Sequence, residues 1–142
     1  MPFRPDILIN TPEGTTLVVE VKTHLPNVRG TEDGLKRYMV GMQCPVGLLV
    51  TPERIWLYRD SYSSRAPESI ELVGVFDAKS LWRQPPPLDE IQFEVFVQDW
   101  LRDLTEQRSE ELPYGARKAL REYVLPAVTQ GEIRAGHPRY SP

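Results

Sequence analysis

Pro5-Asp6-Ile7-Leu8-Ile9-Asn10-Thr11-Pro12-Glu13-Gly14-Thr15-Thr16-Leu17-Val18-Val19-Glu20-Val21-Lys22 is the stretch that decides how this chain folds. Two aliphatic runs, Ile7 to Ile9 and Leu17 to Val19, flank a segment of turn formers, Thr11 to Thr15. That arrangement predicts a β-hairpin. Pro12 at the first loop position and Gly14 at the last predict a three-residue connection, a type I turn closed by a glycine in the left-handed region. Thr11 then stands opposite Thr15, Ile9 opposite Leu17, Ile7 opposite Val19 and Asp6 opposite Glu20.

The register sorts the side chains by face. Ile7, Ile9, Leu17, Val19 and Val21 share an aliphatic face that suits a core. Asp6, Glu20 and Lys22 share the other face, beside Leu8 and Val18. Two neighbouring carboxylates repel each other unless a cation joins them. Hard oxygen ligands in this number suit Mg²⁺, which takes one or two protein carboxylates and completes its shell with water and phosphate oxygens. Asp6, Glu20 and the backbone carbonyl of Val21 are the candidate metal ligands, and Lys22 is placed to offset charge developing on a phosphoryl group. The plainer reading is a strand start at Asp6 and an exposed Glu20–Lys22 ion pair, worth about 0–1 kcal/mol.

Pro5-Asp6, thirteen intervening residues and then Glu20-Val21-Lys22 resemble the signature of the PD-(D/E)XK phosphodiesterase superfamily, the restriction-endonuclease-like nucleases. A helical segment and two strands follow in the order of that fold's core, so the resemblance spans roughly the first 60 residues. It implies an α/β fold: a restriction-endonuclease-like mixed β-sheet with a helix after the catalytic hairpin. It implies a metal-dependent nuclease hydrolysing phosphodiester bonds, with DNA as the expected substrate and Mg²⁺ (or Mn²⁺ in its place) as cofactor. Asp6, Glu20 and Lys22 would be the catalytic residues. Members of the superfamily open with a helix and a strand ahead of the Pro-Asp hairpin, whereas Met1 to Arg4 alone precede Pro5 here. In the RecB-like branch a glutamine lies four residues before a helical tyrosine, and Gly34 holds that place before Tyr38. The chain therefore reads as a truncated or remodelled member. The alternatives are a catalytically inactive nuclease-like module that binds nucleic acid or a protein partner, and a homodimer or hetero-oligomer whose partner subunit completes the sheet.

The chain has 142 residues, 40% hydrophobic and 26% charged, which fits one globular domain. No apolar run approaches the roughly 20 residues that span a bilayer, and the first residues carry no signal-peptide pattern, so the expectation is a cytoplasmic protein away from the membrane. One cysteine, Cys44, forms no internal disulfide and reads as a small buried residue. The net charge of −3 excludes a generally basic surface, and any nucleic acid must meet locally confined cations. Arg29, Lys36 and Arg37 are one such cluster, and Arg117, Lys118 and Arg121 another, although a solvated helix face explains each equally well.

A loop from Pro26 to Gly30 is expected, then a helix starting at Thr31-Glu32-Asp33 with Leu35, Tyr38, Met39 and Met42 inward, closed by Gly41 and Cys44-Pro45. His24 in the loop, Lys36 and Arg37 off the apolar face, and Gln43 at the helix end are the substrate-binding candidates. Val46 to Val50 and Arg54 to Tyr58 read as strands, with Ile55 and Leu57 on one face and Trp56 and Tyr58 on the other. Asp60 to Ser69 reads as a surface loop and Ile70 to Phe76 as an edge strand, and Gln84 to Pro87 as a stiff connector. Phe93, Phe96, Val97, Trp100, Leu101 and Leu104 mark one amphipathic helix, expected to stand in for the missing leading helix, with Glu90 or Glu94 as a possible further acid. Ala116, Leu120, Tyr123, Val124 and Ala127 mark a second, kinked or ended by Pro126.

These two C-terminal helices should pack on the sheet. The domain expectation is a single nuclease-like unit over 1–135, with hairpin, helix and sheet in 1–77, C-terminal helices in 88–130 and a frayed tail in 136–142. His24 and His137 are the only histidines, and no zinc spacing, phosphate-cradling glycine loop or internal repeat is present.

Overall fold

The computed structural model describes residues 5–106 and 112–136, and the hairpin is its first element. β1 (Ile7–Thr11) pairs antiparallel with β2 (Gly14–Val21), and Ile7 meets Val19 and Ile9 meets Leu17 as the pattern requires. The turn differs from the expectation. Thr11 pairs with Gly14 and Asn10 with Thr15, leaving Thr16 as the extra residue of a bulge. Hydroxyls stabilise this shift: Thr15 Oγ1 donates to Asn10 Oδ1 at 2.7 Å and Thr16 Oγ1 to the Ile9 carbonyl at 3.2 Å. Gly14 has φ 137°, which a side chain would strain. The bulge lies beyond Ile9, so the faces of the apolar residues are unchanged.

A parallel partner needs a crossover, and α1 (Val28–Met42) supplies it between β2 and β3 (Val46–Val50). The helix starts earlier than expected because Asn27 caps it, its Oδ1 accepting the Gly30 N–H at 3.0 Å. Gly30 thus belongs to the first turn. At the other end Gln43, with φ 55°, is the left-handed cap, and Gly41 stays helical. Leu35 and Met39 are buried as expected, but Met42 is 53% exposed.

β4 (Arg54–Asp60) and β5 (Ile70–Asp77) continue antiparallel from β3, and α2 (Glu90–Asp103) follows the proline connector. A second helical stretch runs as α3 (Tyr114–Ala119), a π-helical turn (Leu120–Val124) and α4 (Leu125–Gln130). Pro126 does not break it. The wider turn, in which the Leu125 N–H bonds to the Leu120 carbonyl, takes up the distortion beside a residue that has no N–H to give. β6 (Glu132–Ala135), which the pattern did not reveal, then pairs antiparallel with β1. Gly136 is bound too, donating its N–H to the Asp6 carbonyl at 2.8 Å, so the tail does not begin to fray at 136; residues 137–142 lie outside the described residues.

The result is mixed α/β, a six-stranded sheet in the order β5-β4-β3-β2-β1-β6. One face joins Ile7, Val19, Val21, Leu48, Ile55 and Leu57 to Phe93, Val97, Leu101, Leu120 and Val124 of the later helices. The opposite face joins Val18, Leu49 and Tyr58 to Leu35 and Met39 of α1. No helix among the described residues is long and apolar enough to cross a membrane.

Candidate active site

Glu20 lies near the end of β2, on the face covered by α1, with Leu49 as its neighbour on β3. It is 4% exposed. Asp6 sits just ahead of β1 rather than paired in the ladder opposite Glu20 as expected. Its N–H donates to the Val19 carbonyl at 3.2 Å, and its Oδ2 accepts the Val21 N–H at 2.8 Å. The carboxylate therefore takes the place of a main-chain acceptor, which fixes it against β2. Strand geometry turns the Val21 carbonyl towards the same edge as the Val21 N–H, the edge at which Asp6 stands.

The two carboxyl groups meet. Burial drives the Glu20 pKa up to about 9, helped by its hydrogen bond to Asp6 and by the Asp6 charge; Lys22 and the Val21 backbone oppose the rise. Lys22 follows β2, anchored by its N–H on the Val50 carbonyl at 2.9 Å, and is half-buried. Asp6, Glu20 and Lys22 are thus brought to one end of the hairpin.

The donor set fits a hard divalent cation. A buried carboxyl that retains its proton beside a second carboxylate is a pair in which a cation could take the proton's place, and the Val21 carbonyl adds a neutral oxygen. Among the described residues no group of three or more His, Cys, Asp or Glu side chains converges as a ligand cluster, so Glu90 and Glu94 do not complete this site. Both lie on α2, whose buried residues pack on the face opposite Glu20; Glu94 is itself 3% exposed and has a partner, while Glu90 is exposed.

The substrate-binding candidates separate. His24 is exposed and lines a cleft that starts at Thr23, directly after Lys22. Lys36 stands 5.9 Å from the centre of the Tyr58 ring, whose hydroxyl donates to Glu32. This cluster pins α1 to the sheet. Arg37 is exposed on α1. Gln43 is at the opposite end of the sheet, in another cleft with Asp60, Tyr62 and Arg65. Cys44 is buried, its pKa pushed up to about 12 by desolvation, and its Sγ–H donates to the Val46 carbonyl at 3.3 Å, which suits packing and not nucleophilic chemistry. His137 lies outside the described residues.

Sequence reading placed Trp56 on the correct face and left Arg54 unremarked; both line the same cleft as His24. The signal for Trp56 was its alternation with Ile55 and Leu57. β6 also occupies the free edge of β1, where the oligomer reading expected a partner's strand. No family model, curated protein or solved structure matches the chain.

Proposed function

We propose that the chain is a Mg²⁺-dependent nuclease of the restriction-endonuclease-like type, cutting phosphodiester bonds in DNA. The observation that carries the reading is the meeting of Asp6 and Glu20 at the hairpin end, with Lys22 close enough to act on the Glu20 charge. Asp6, Glu20 and the Val21 carbonyl would hold the cation. Bound there, Mg²⁺ or Mn²⁺ would polarise a phosphoryl oxygen and lower the pKa of a water. The chain's own part is positional. The Val21 N–H holds Asp6 in one orientation, β3 flanks the buried Glu20, and Lys22 offers an ammonium to charge building on the phosphate.

Incubation of the purified protein with single- and double-stranded DNA and RNA, in Mg²⁺, Mn²⁺ or EDTA, tests this. Metal-dependent cutting that disappears in Asp6→Ala and Lys22→Ala is expected. Cutting that persists in both variants would place the chemistry elsewhere. The lack of a third acidic side chain among the described residues favours the second reading, a non-catalytic nuclease-like module. Calorimetry with Mn²⁺ separates the two, because the nuclease reading requires binding that Glu20→Ala abolishes.

A further inference from the structure

Beside the carboxylate pair lies a cleft of about 390 Å³, large enough for a small organic group, lined by His24, Leu25, Glu53, Arg54, Trp56 and Leu88 among others. Its place follows from sheet register. Glu20 pairs with Leu49 and Leu49 with Trp56, so Trp56 stands in the same row and on the same face, two strand spacings (about 10 Å) from Glu20. Trp56 differs from the other tryptophans. Trp82 and Trp100 are edge-to-face partners at 5.4 Å in the core under α2, and Trp82 Nε1 donates to the Pro52 carbonyl at 2.8 Å. Trp56 is only half-buried, and among the described residues its ring meets no aromatic neighbour and its indole N–H no acceptor. Arg54, two residues away, is exposed, and its guanidinium makes no ion pair or hydrogen bond among the described residues.

A half-exposed indole packed on the α1-side cluster without an aromatic partner, and a cation without an ion pair, in one cleft are complementary to a nucleotide, whose base stacks and whose phosphate pairs with the guanidinium. A base can present its face to Trp56 only if it has left the double helix. We propose that this cleft binds an unpaired base of single-stranded DNA next to the scissile phosphate, with Trp56 as the stacking platform and Arg54 on the backbone. The proposal rests on the nuclease reading for its choice of ligand, and it makes the enzyme one that acts on single strands or on frayed ends.

The experiment is fluorescence anisotropy of a labelled 12-nucleotide thymidine oligomer titrated with the full chain in EDTA, where nothing is cut. A duplex of equal length serves as the second probe. The single strand should bind more tightly than the duplex, and Trp56→Ala should weaken it by between about 5-fold and 150-fold. Trp56→Phe should retain most of the affinity, which guards against a folding defect in the alanine variant. Arg54→Gln should weaken binding and flatten its dependence on salt. Equal affinity in wild type and a folded Trp56→Ala, or preference for the duplex, overturns the proposal. Trp56-dependent binding together with no metal-dependent cleavage would sink the nuclease reading and leave the cleft standing. Cleavage indifferent to Trp56 and Arg54 would do the reverse.

Discussion

The two faces of this sheet are built to different ends. Under α2 and the C-terminal helices the contact is largely apolar, Ile7, Val19, Val21 and Leu57 meeting Phe93, Val97, Leu101 and Val124, and the one buried carboxyl of α2, Glu94, has a partner. Under α1 a smaller apolar group gives way to charged and polar side chains: Glu20 at 4% exposure, the Glu32–Tyr58–Lys36 cluster and the cleft at Trp56. Burial of carbon stabilises the first face, whereas the second carries a buried carboxyl that costs stability while it lacks a counter-ion. The division places the buried carboxyl on one side of β2 and the apolar burial that offsets it on the other.

The largest effect should come from breaking the apolar side. Phe93, fully buried, should cost about 3–5 kcal/mol as Phe93→Ala in urea denaturation, whereas metal binding by the molecules that remain folded should be unaffected. If Mn²⁺ affinity falls in proportion to stability, the faces are not independent. On the polar side, Lys22→Ala should lower metal-dependent cleavage by about 10²-fold or more, with little change in the denaturation midpoint.

Glu20 sharpens the contrast through pH. In chelator the folded chain retains a proton on Glu20 up to about pH 9, while the unfolded chain releases it near 4.5. The stability this proton confers is complete below pH 4.5 and is lost progressively as pH rises to 9. Melting curves should therefore drift down across that window, and Glu20→Gln should remove the drift. Saturating Mn²⁺ should reverse it, since binding must displace the proton. The smallest effect is expected at the Arg59–Glu71 pair, 3.0 Å apart and about half exposed on both sides, where Arg59→Gln should change stability by less than about 1 kcal/mol in a melt at moderate salt.

What could be read beforehand follows the range of the forces involved. The period of two in Ile7, Ile9, Leu17 and Val19 is a local property, and it assigns the aliphatic face of the hairpin correctly, whereas Asp6 stands ahead of β1 and not in the ladder opposite Glu20. The spacing of Phe93, Val97, Trp100 and Leu101 did the same for α2. The bulge at Thr16 escaped because it depends on hydroxyl bonds that no hydrophobic pattern encodes. The start of α1 was missed for another reason: Gly30 suggested a loop, although Asn27 offered a cap three residues earlier. Glu132-Ile133-Arg134-Ala135 has only Ile133 packed against the core, too weak a pattern to announce a strand whose partner is at the far end of the chain. In the site, register could assign Trp56 to a face but could not reveal that its ring has no aromatic neighbour there.

The pairing of Ile7 with Ala135 joins β1 to β6, two strands far apart in the sequence. A Cβ on Gly136 would come within 2.0 Å of the Pro5 carbonyl, so the closing strand passes hard against the residue that precedes Asp6. During synthesis the hairpin can form early, yet the backbone beside its acidic residue is clamped only when residue 136 has emerged. Long-range closure of this kind is slow. A ribosome-bound chain would hold the Asp6–Glu20 pair unfinished until then, and the order of translation would set when that end of the hairpin becomes rigid.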